Sequence, residues 1–110
     1  MRYVLFICTD PDGEPYDAAT DDPGSWVGEL EAAGRYVTGD RLRPAEDATT
    51  VRVRAGERIV TDGPFTESRE RIAGFDIIEA DDLDQAIETA AGHPMARFGR
   101  VEVRPVWPFE

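Results

Sequence analysis

An α+β sandwich of the split βαβ, ferredoxin-like type is the fold class that this sequence predicts, and three observations predict it. Two strand–helix–strand patterns flank a hairpin pattern, which puts both helices on one face of an antiparallel sheet. The first strand pattern, Tyr3 to Cys8, is apolar on both faces, so the face that the helices leave open needs a separate cover. The chain has 110 residues, enough for a single domain over residues 1–110. For so short a chain a second copy, packed sheet on sheet about a two-fold axis, is the simplest cover. The expectation is a homodimer.

Each element has its own signal. Tyr3-Val4-Leu5-Phe6-Ile7-Cys8 is a six-residue run of β-formers that ends at the turn cluster Asp10-Pro11-Asp12-Gly13. Asp22 followed by Pro23 gives an N-cap with proline at the first helical position, and Trp26, Val27, Leu30 and Ala33 then keep the helical period until Gly34. Tyr36-Val37-Thr38 reads as a second strand, ended by Gly39-Asp40. Thr49 to Arg54 alternates and Arg58 to Thr61 follows across Ala55-Gly56-Glu57, a hairpin signal. Gly74 to Ala80 is another strand, after which Asp81 or Asp82 caps a helix whose Leu83, Ala86, Ile87 and Ala90 form one stripe up to Gly92. Arg100 to Arg104 alternates again, and Pro105 confines it to an edge or an end.

Composition excludes several functions. The 23 acidic residues outnumber the 12 basic ones and leave a net charge of -11, a field that repels phosphate and makes nucleic acid and anionic membranes poor partners. Every basic residue is Arg, so no lysine is present for a Schiff base or a P-loop. One Cys and one His allow no internal disulfide and no Cys/His zinc site. No metal and no cofactor are expected. No run approaches 18 apolar residues, and the reading is a soluble, cytoplasmic protein.

Residues 61–75 read Thr-Asp-Gly-Pro-Phe-Thr-Glu-Ser-Arg-Glu-Arg-Ile-Ala-Gly-Phe. With Asp81-Asp82-Leu83-Asp84, the His93-Pro94 step and the ending Val101-Glu102-Val103-Arg104-Pro105-Val106-Trp107, this string resembles the YCII-related family, in the branch named for its Asp-Gly-Pro-Phe motif. The resemblance covers nearly the whole chain and implies a ferredoxin-like subunit pairing into a dimeric α+β barrel. Relatives in that branch stand alone or are joined to sigma-factor-like domains. Other YCII-related proteins resemble small enzymes of the muconolactone-isomerase and dehalogenase kind, with a His near the start of the first helix and an Asp elsewhere lining a cleft. Here the first helix contains no His. The sole imidazole, His93, follows the second helix and reads as a turn residue or a cation at a helix C-terminus.

The candidate site residues carry two readings each. Asp62 either forms an Asx turn at the corner before Gly63-Pro64 or faces the cleft as a general base, the candidate catalytic residue. Phe65 plugs the loop into the core or contacts a ligand. Glu67 and Arg69 belong either to a solvated turn or to a ligand site in which the Arg69 fork binds a carboxylate. Trp26 is core or cleft wall, Cys8 is a buried inert thiol, and Trp107 is placed to pack across a dimer seam. The leading functional expectation is a dimeric barrel that binds a small organic molecule between sheet and helices, with proton-transfer or ring-opening (lyase-type) chemistry. The rival is a non-enzymatic regulatory or protein-interaction module.

Overall fold

A computed structural model describes residues 1–63 and 71–109 of the chain. Its strands are β1 (Arg2–Thr9), β2 (Tyr36–Arg41), β3 (Thr49–Arg54), β4 (Glu57–Asp62), β5 (Arg71–Glu79) and β6 (Gly99–Pro105), and its helices are α1 (Pro23–Ala32), α2 (Leu83–Ala91) and α3 (Met95–Phe98). Short 3₁₀ turns occupy Ala18–Thr20 and Ala45–Asp47. The architecture is α+β. Four antiparallel strands form an open sheet in the order β2-β5-β1-β6, and β3 with β4 forms a separate two-stranded sheet. The described strands close no barrel. No helix among the described residues is long and apolar enough to cross a membrane.

The alternation in β1 decides which side is core. Tyr3, Leu5 and Ile7 are buried with Ile78 and Ala80 beneath Trp26 and Leu30 of α1 and Ala86 and Ala90 of α2, so both helices share one face of the sheet. Leu5 and Ile78 are fully enclosed, and each such side chain contributes about 1.5–3 kcal/mol through removal from water. On the other face Val4, Phe6, Phe75 and Ile77 are only half-buried. This open face is the feature that the two-sided apolarity of Tyr3 to Cys8 predicts.

Local chemistry sets the element ends. The Asp22 carboxylate accepts from the Ser25 amide (3.1 Å) and the Ser25 hydroxyl (2.6 Å) to cap α1, and these bonds hold its carboxyl below the usual range, the hydroxyl first. Gly34, at φ 70°, takes the left-handed position that ends α1, with Gly34 N–H bonded to the Glu31 carbonyl and Arg35 N–H to the Leu30 carbonyl. At the hairpin tip Ala55 and Gly56 both have positive φ (51° and 77°), as a two-residue turn of the I′ kind requires.

Three sequence expectations change. Strand β2 runs through Gly39-Asp40 to Arg41, because Gly39 pairs with Asp76 and Asp40 with Phe75 of β5; the ladder overrides the turn-forming pair. The α2 stripe divides, with Ala86 and Ala90 buried but Leu83 and Ile87 exposed, since the small alanines let the helix approach the sheet closely. The chain after Gly92 forms the four-residue helix α3, which is too short to leave a periodic signal.

Candidate functional site

The polar groups that come together under the helices belong to β2, β5 and the α2–α3 corner. Asp76 lies in the helix-facing row of β5 between Gly74 and Ile78, and it is 7% exposed. One of its oxygens, Oδ1, accepts a 2.8 Å hydrogen bond from the Tyr36 hydroxyl at the start of β2. Burial pushes the Asp76 carboxyl above its ordinary range, and the Tyr36 bond opposes this in part. The Tyr36 phenol is itself pushed up, first by burial and then by the Asp76 carboxylate it faces. Gly39 stands opposite Asp76 in the β2–β5 register. A Cβ at Gly39 would overlap Asp76 Oδ1, the Tyr36 hydroxyl and the Phe75 carbonyl, so the pair exists because that position has no side chain.

Trp26 of α1 joins this pair to the sole imidazole. Its ring meets Tyr36 edge-on at 6.4 Å and His93 edge-on at 4.8 Å between centroids, and its indole N–H donates to the Thr89 carbonyl of α2 (2.8 Å). Arg35 reinforces the same hub, its guanidinium donating to Thr89 Oγ1 (2.7 Å) and to the Glu79 carbonyl (3.0 Å). His93 is 7% exposed, and its Nδ1 accepts from the Met95 amide at 3.0 Å. An accepting Nδ1 is unprotonated, which fixes the tautomer with hydrogen on Nε2. Burial pushes the His93 pKa down, with Asp21 pulling the other way. His93 is thus a neutral turn residue that starts α3, not a cation at the end of α2.

Asp76 Oδ2 and His93 Nε2 have no hydrogen-bond partner among the described residues. No enclosed side-chain nitrogen or oxygen there is unpaired, so both atoms reach solvent. Each group has its own chemistry: Asp76 is a covered carboxyl that can exchange a proton and His93 a neutral N–H that can donate, with Trp26 packed between His93 and Tyr36. A separate surface depression of about 310 Å³ near Met1, Arg35 and Asp81 lies beside groups already committed, since the Met1 ammonium pairs with Glu79 at 3.4 Å.

Of the residues singled out from sequence, Trp26 belongs to this cluster, buried in the core with Tyr36 and His93 against its ring. Asp62 ends β4 on the two-stranded sheet and is exposed. Its carboxylate accepts no hydrogen bond among the described residues. The corner is held instead by Gly63, at φ 99°, whose N–H donates to the Ala48 carbonyl (2.7 Å) and whose carbonyl accepts from Thr50 Oγ1 (2.8 Å). Phe65, Glu67 and Arg69 lie outside the described residues. Asp76 and Tyr36 were not singled out. The available signal was parity, because Asp76 falls in the same alternate row as Ile78 and Ala80.

The model of the YCII-related domain matches residues 1–110. The chain belongs to the YCII-related family. An uncharacterised protein of Rhizobium meliloti (strain 1021) is 42% identical over 76 residues, a match that takes in 67% of this chain and 61% of that protein. The chain therefore spans less than two thirds of this relative's length. In this YCII-related chain the first helix contains no His, and the sole imidazole, His93, packs edge-on against Trp26 of that helix.

Proposed function

We propose that this YCII-related protein, of the Asp-Gly-Pro-Phe branch, is a homodimer of ferredoxin-like subunits forming a dimeric α+β barrel. In this reading each subunit binds a small, apolar or weakly anionic organic molecule in the cleft between sheet and helices and exchanges a proton with it. The strand order β2-β5-β1-β6 with both helices on one face supports the subunit reading, and the half-buried Val4, Phe6, Phe75 and Ile77 support pairing through the open face. The observation that carries the chemistry is Asp76, a nearly covered carboxyl with one oxygen held by Tyr36 and the other reaching solvent. Such a carboxyl is a stronger base than one in water and can remove a proton from carbon or oxygen near neutral pH.

Asp62, with Phe65, Glu67 and Arg69, keeps a subsidiary part in this reading as the motif loop that borders the ligand. The exposed Leu83 and Ile87, one turn apart on α2, favour a second reading in which the chain is a regulatory or protein-interaction module that docks through this helix. Nuclear magnetic resonance with a set of small phenols and enolisable ketones separates the two. Binding in the cleft moves the Trp26 indole N–H and the Asp76 carboxyl resonances together, whereas a module without a ligand site shows neither shift at millimolar probe.

A further inference from the structure

Among the described strands, β3 and β4 pair only with one another. Directly opposed residues share a face, so Val51, Val60 and Val53 lie together with Arg58, while Thr50, Thr61, Arg52 and Ile59 occupy the other side. Val51, Val53 and Val60 are 58–59% exposed. A two-stranded ribbon is marginal in water unless one face is buried, and this one joins neither edge of the four-stranded sheet. The radius of gyration is 15.9 Å, whereas a compact chain of this length has about 13 Å. The exposed surface is 8067 Å², against about 6,100 Å² for a folded monomer of this mass. The excess of roughly 2,000 Å² per chain is of the size that a permanent homodimer hides.

We infer that the β3–β4 hairpin is an exchange arm whose Val51, Val53 and Val60 face packs on the body of a second copy of this chain. The inference rests on the dimer reading above and adds to it the arm, which sheet-on-sheet pairing alone would leave bare. The valine face itself carries one cation and one anion, Arg58 and Asp62, so it presents no net charge to repel a partner. The arm as a whole, with Arg52, Arg54 and Arg58 against Glu57 and Asp62, is weakly cationic in a chain of net charge -11, which steers it towards an acidic body. The surface excess of the whole chain, not charge, names that body as a second copy. Two-fold symmetry uses each arm once and covers both.

The test is sedimentation equilibrium of the full chain, the double variant Val51→Glu/Val60→Glu, and Thr61→Glu on the opposite face of the arm. The wild type is expected to be dimeric at micromolar concentration, the double variant to dissociate with a Kd raised roughly 100-fold, and Thr61→Glu to stay within about twofold. A double variant that associates like the wild type, or a Thr61→Glu loss as large, overturns the arm while leaving the dimer. A wild type that is monomeric at ~100 µM removes the dimer reading and the arm with it. Hydrogen exchange of the unaltered protein serves if the variant hairpin unfolds: amides of Val51, Val53 and Val60 are expected to exchange faster on dilution, and rates independent of concentration overturn the arm.

Discussion

The Tyr36 hydroxyl of β2 donates a 2.8 Å hydrogen bond to Asp76 Oδ1 of β5, and Gly39 leaves the space in which the two meet. This contact fastens an edge strand to the sheet and at the same time fixes one oxygen of a nearly buried carboxyl. Its consequences for pH follow from the raised pKa of Asp76. The folded protein holds the Asp76 proton to higher pH than the unfolded chain does, so the unfolded state binds fewer protons between those two values. Stability from this group is therefore full below the ordinary carboxylate range and is lost as pH rises through the elevated folded value. Asp76→Asn removes that slope, and its stability relative to the wild type should improve as pH rises from 4 towards 7, read by urea unfolding at several pH values. A constant difference across that range would place Asp76 at an ordinary pKa.

His93 has the opposite sign. Its folded pKa is lowered by burial, so the unfolded chain protonates first as pH falls below about 6.5. Stability is lost as pH drops through that value, and protonation also removes the Nδ1 acceptor of the Met95 amide. His93→Asn keeps a side-chain acceptor for the amide two residues on without a titrating group. The variant should lose the acid-side slope near pH 6 while its melting temperature at pH 8 stays within a few degrees, about 1 kcal/mol.

Gly39 and Gly63 separate steric from conformational cost. A Cβ at Gly39 meets the Phe75 carbonyl as well as the Asp76–Tyr36 pair, whereas a Cβ at Gly63 meets nothing within 4 Å and is opposed only by φ 99°. Gly39→Ala should destabilise by about 2–4 kcal/mol and Gly63→Ala by about 1 kcal/mol. Chemical denaturation of the two variants, in either order of cost, decides the point.

Trp107 is 94% exposed beyond β6, a large apolar surface for a single subunit. In the paired form its ring is expected at the seam, and Trp107→Ala should raise the dimer dissociation constant at least tenfold, about 1.4 kcal/mol. An unchanged constant by sedimentation returns the ring to solvent.

Much of the frame was legible because burial and pattern agree. The alternation of Tyr3, Leu5 and Ile7 against Val4 and Phe6 announced two faces, Asp22-Pro23 announced a helix start, and Ala55-Gly56-Glu57 announced a hairpin, though Glu57 already pairs with Arg54 and the turn is Ala55-Gly56 alone. The divided α2 stripe was not legible, because Leu83 and Ile87 have the larger hydrophobic side chains and only the close approach to the sheet favours Ala86 and Ala90. Asp76 was hidden for a related reason. In Gly-Phe-Asp-Ile-Ile-Glu an acid reads as the polar side of a strand, and parity with Ile78 is the one local hint that Asp76, unlike Glu79, faces inward; the partner that makes its burial tolerable, Tyr36, is distant in sequence and is brought against it by the β2–β5 pairing.

The most direct test of the account uses a substrate that needs only a base in an apolar cleft. In 5-nitrobenzisoxazole the base takes the proton from C3, the C3–H pair becomes the nitrile bond, and the N–O bond breaks to release 2-cyano-4-nitrophenolate, which is coloured. The wild type should accelerate this release above an equal concentration of acetate, with a rate that rises with pH as the Asp76 carboxyl ionises. Asp76→Asn should abolish the acceleration, Tyr36→Phe should shift its pH midpoint, and Asp62→Asn should leave it near the wild-type value. Equal rates in wild type and Asp76→Asn, or a loss confined to Asp62→Asn, would contradict the assignment of proton transfer to Asp76.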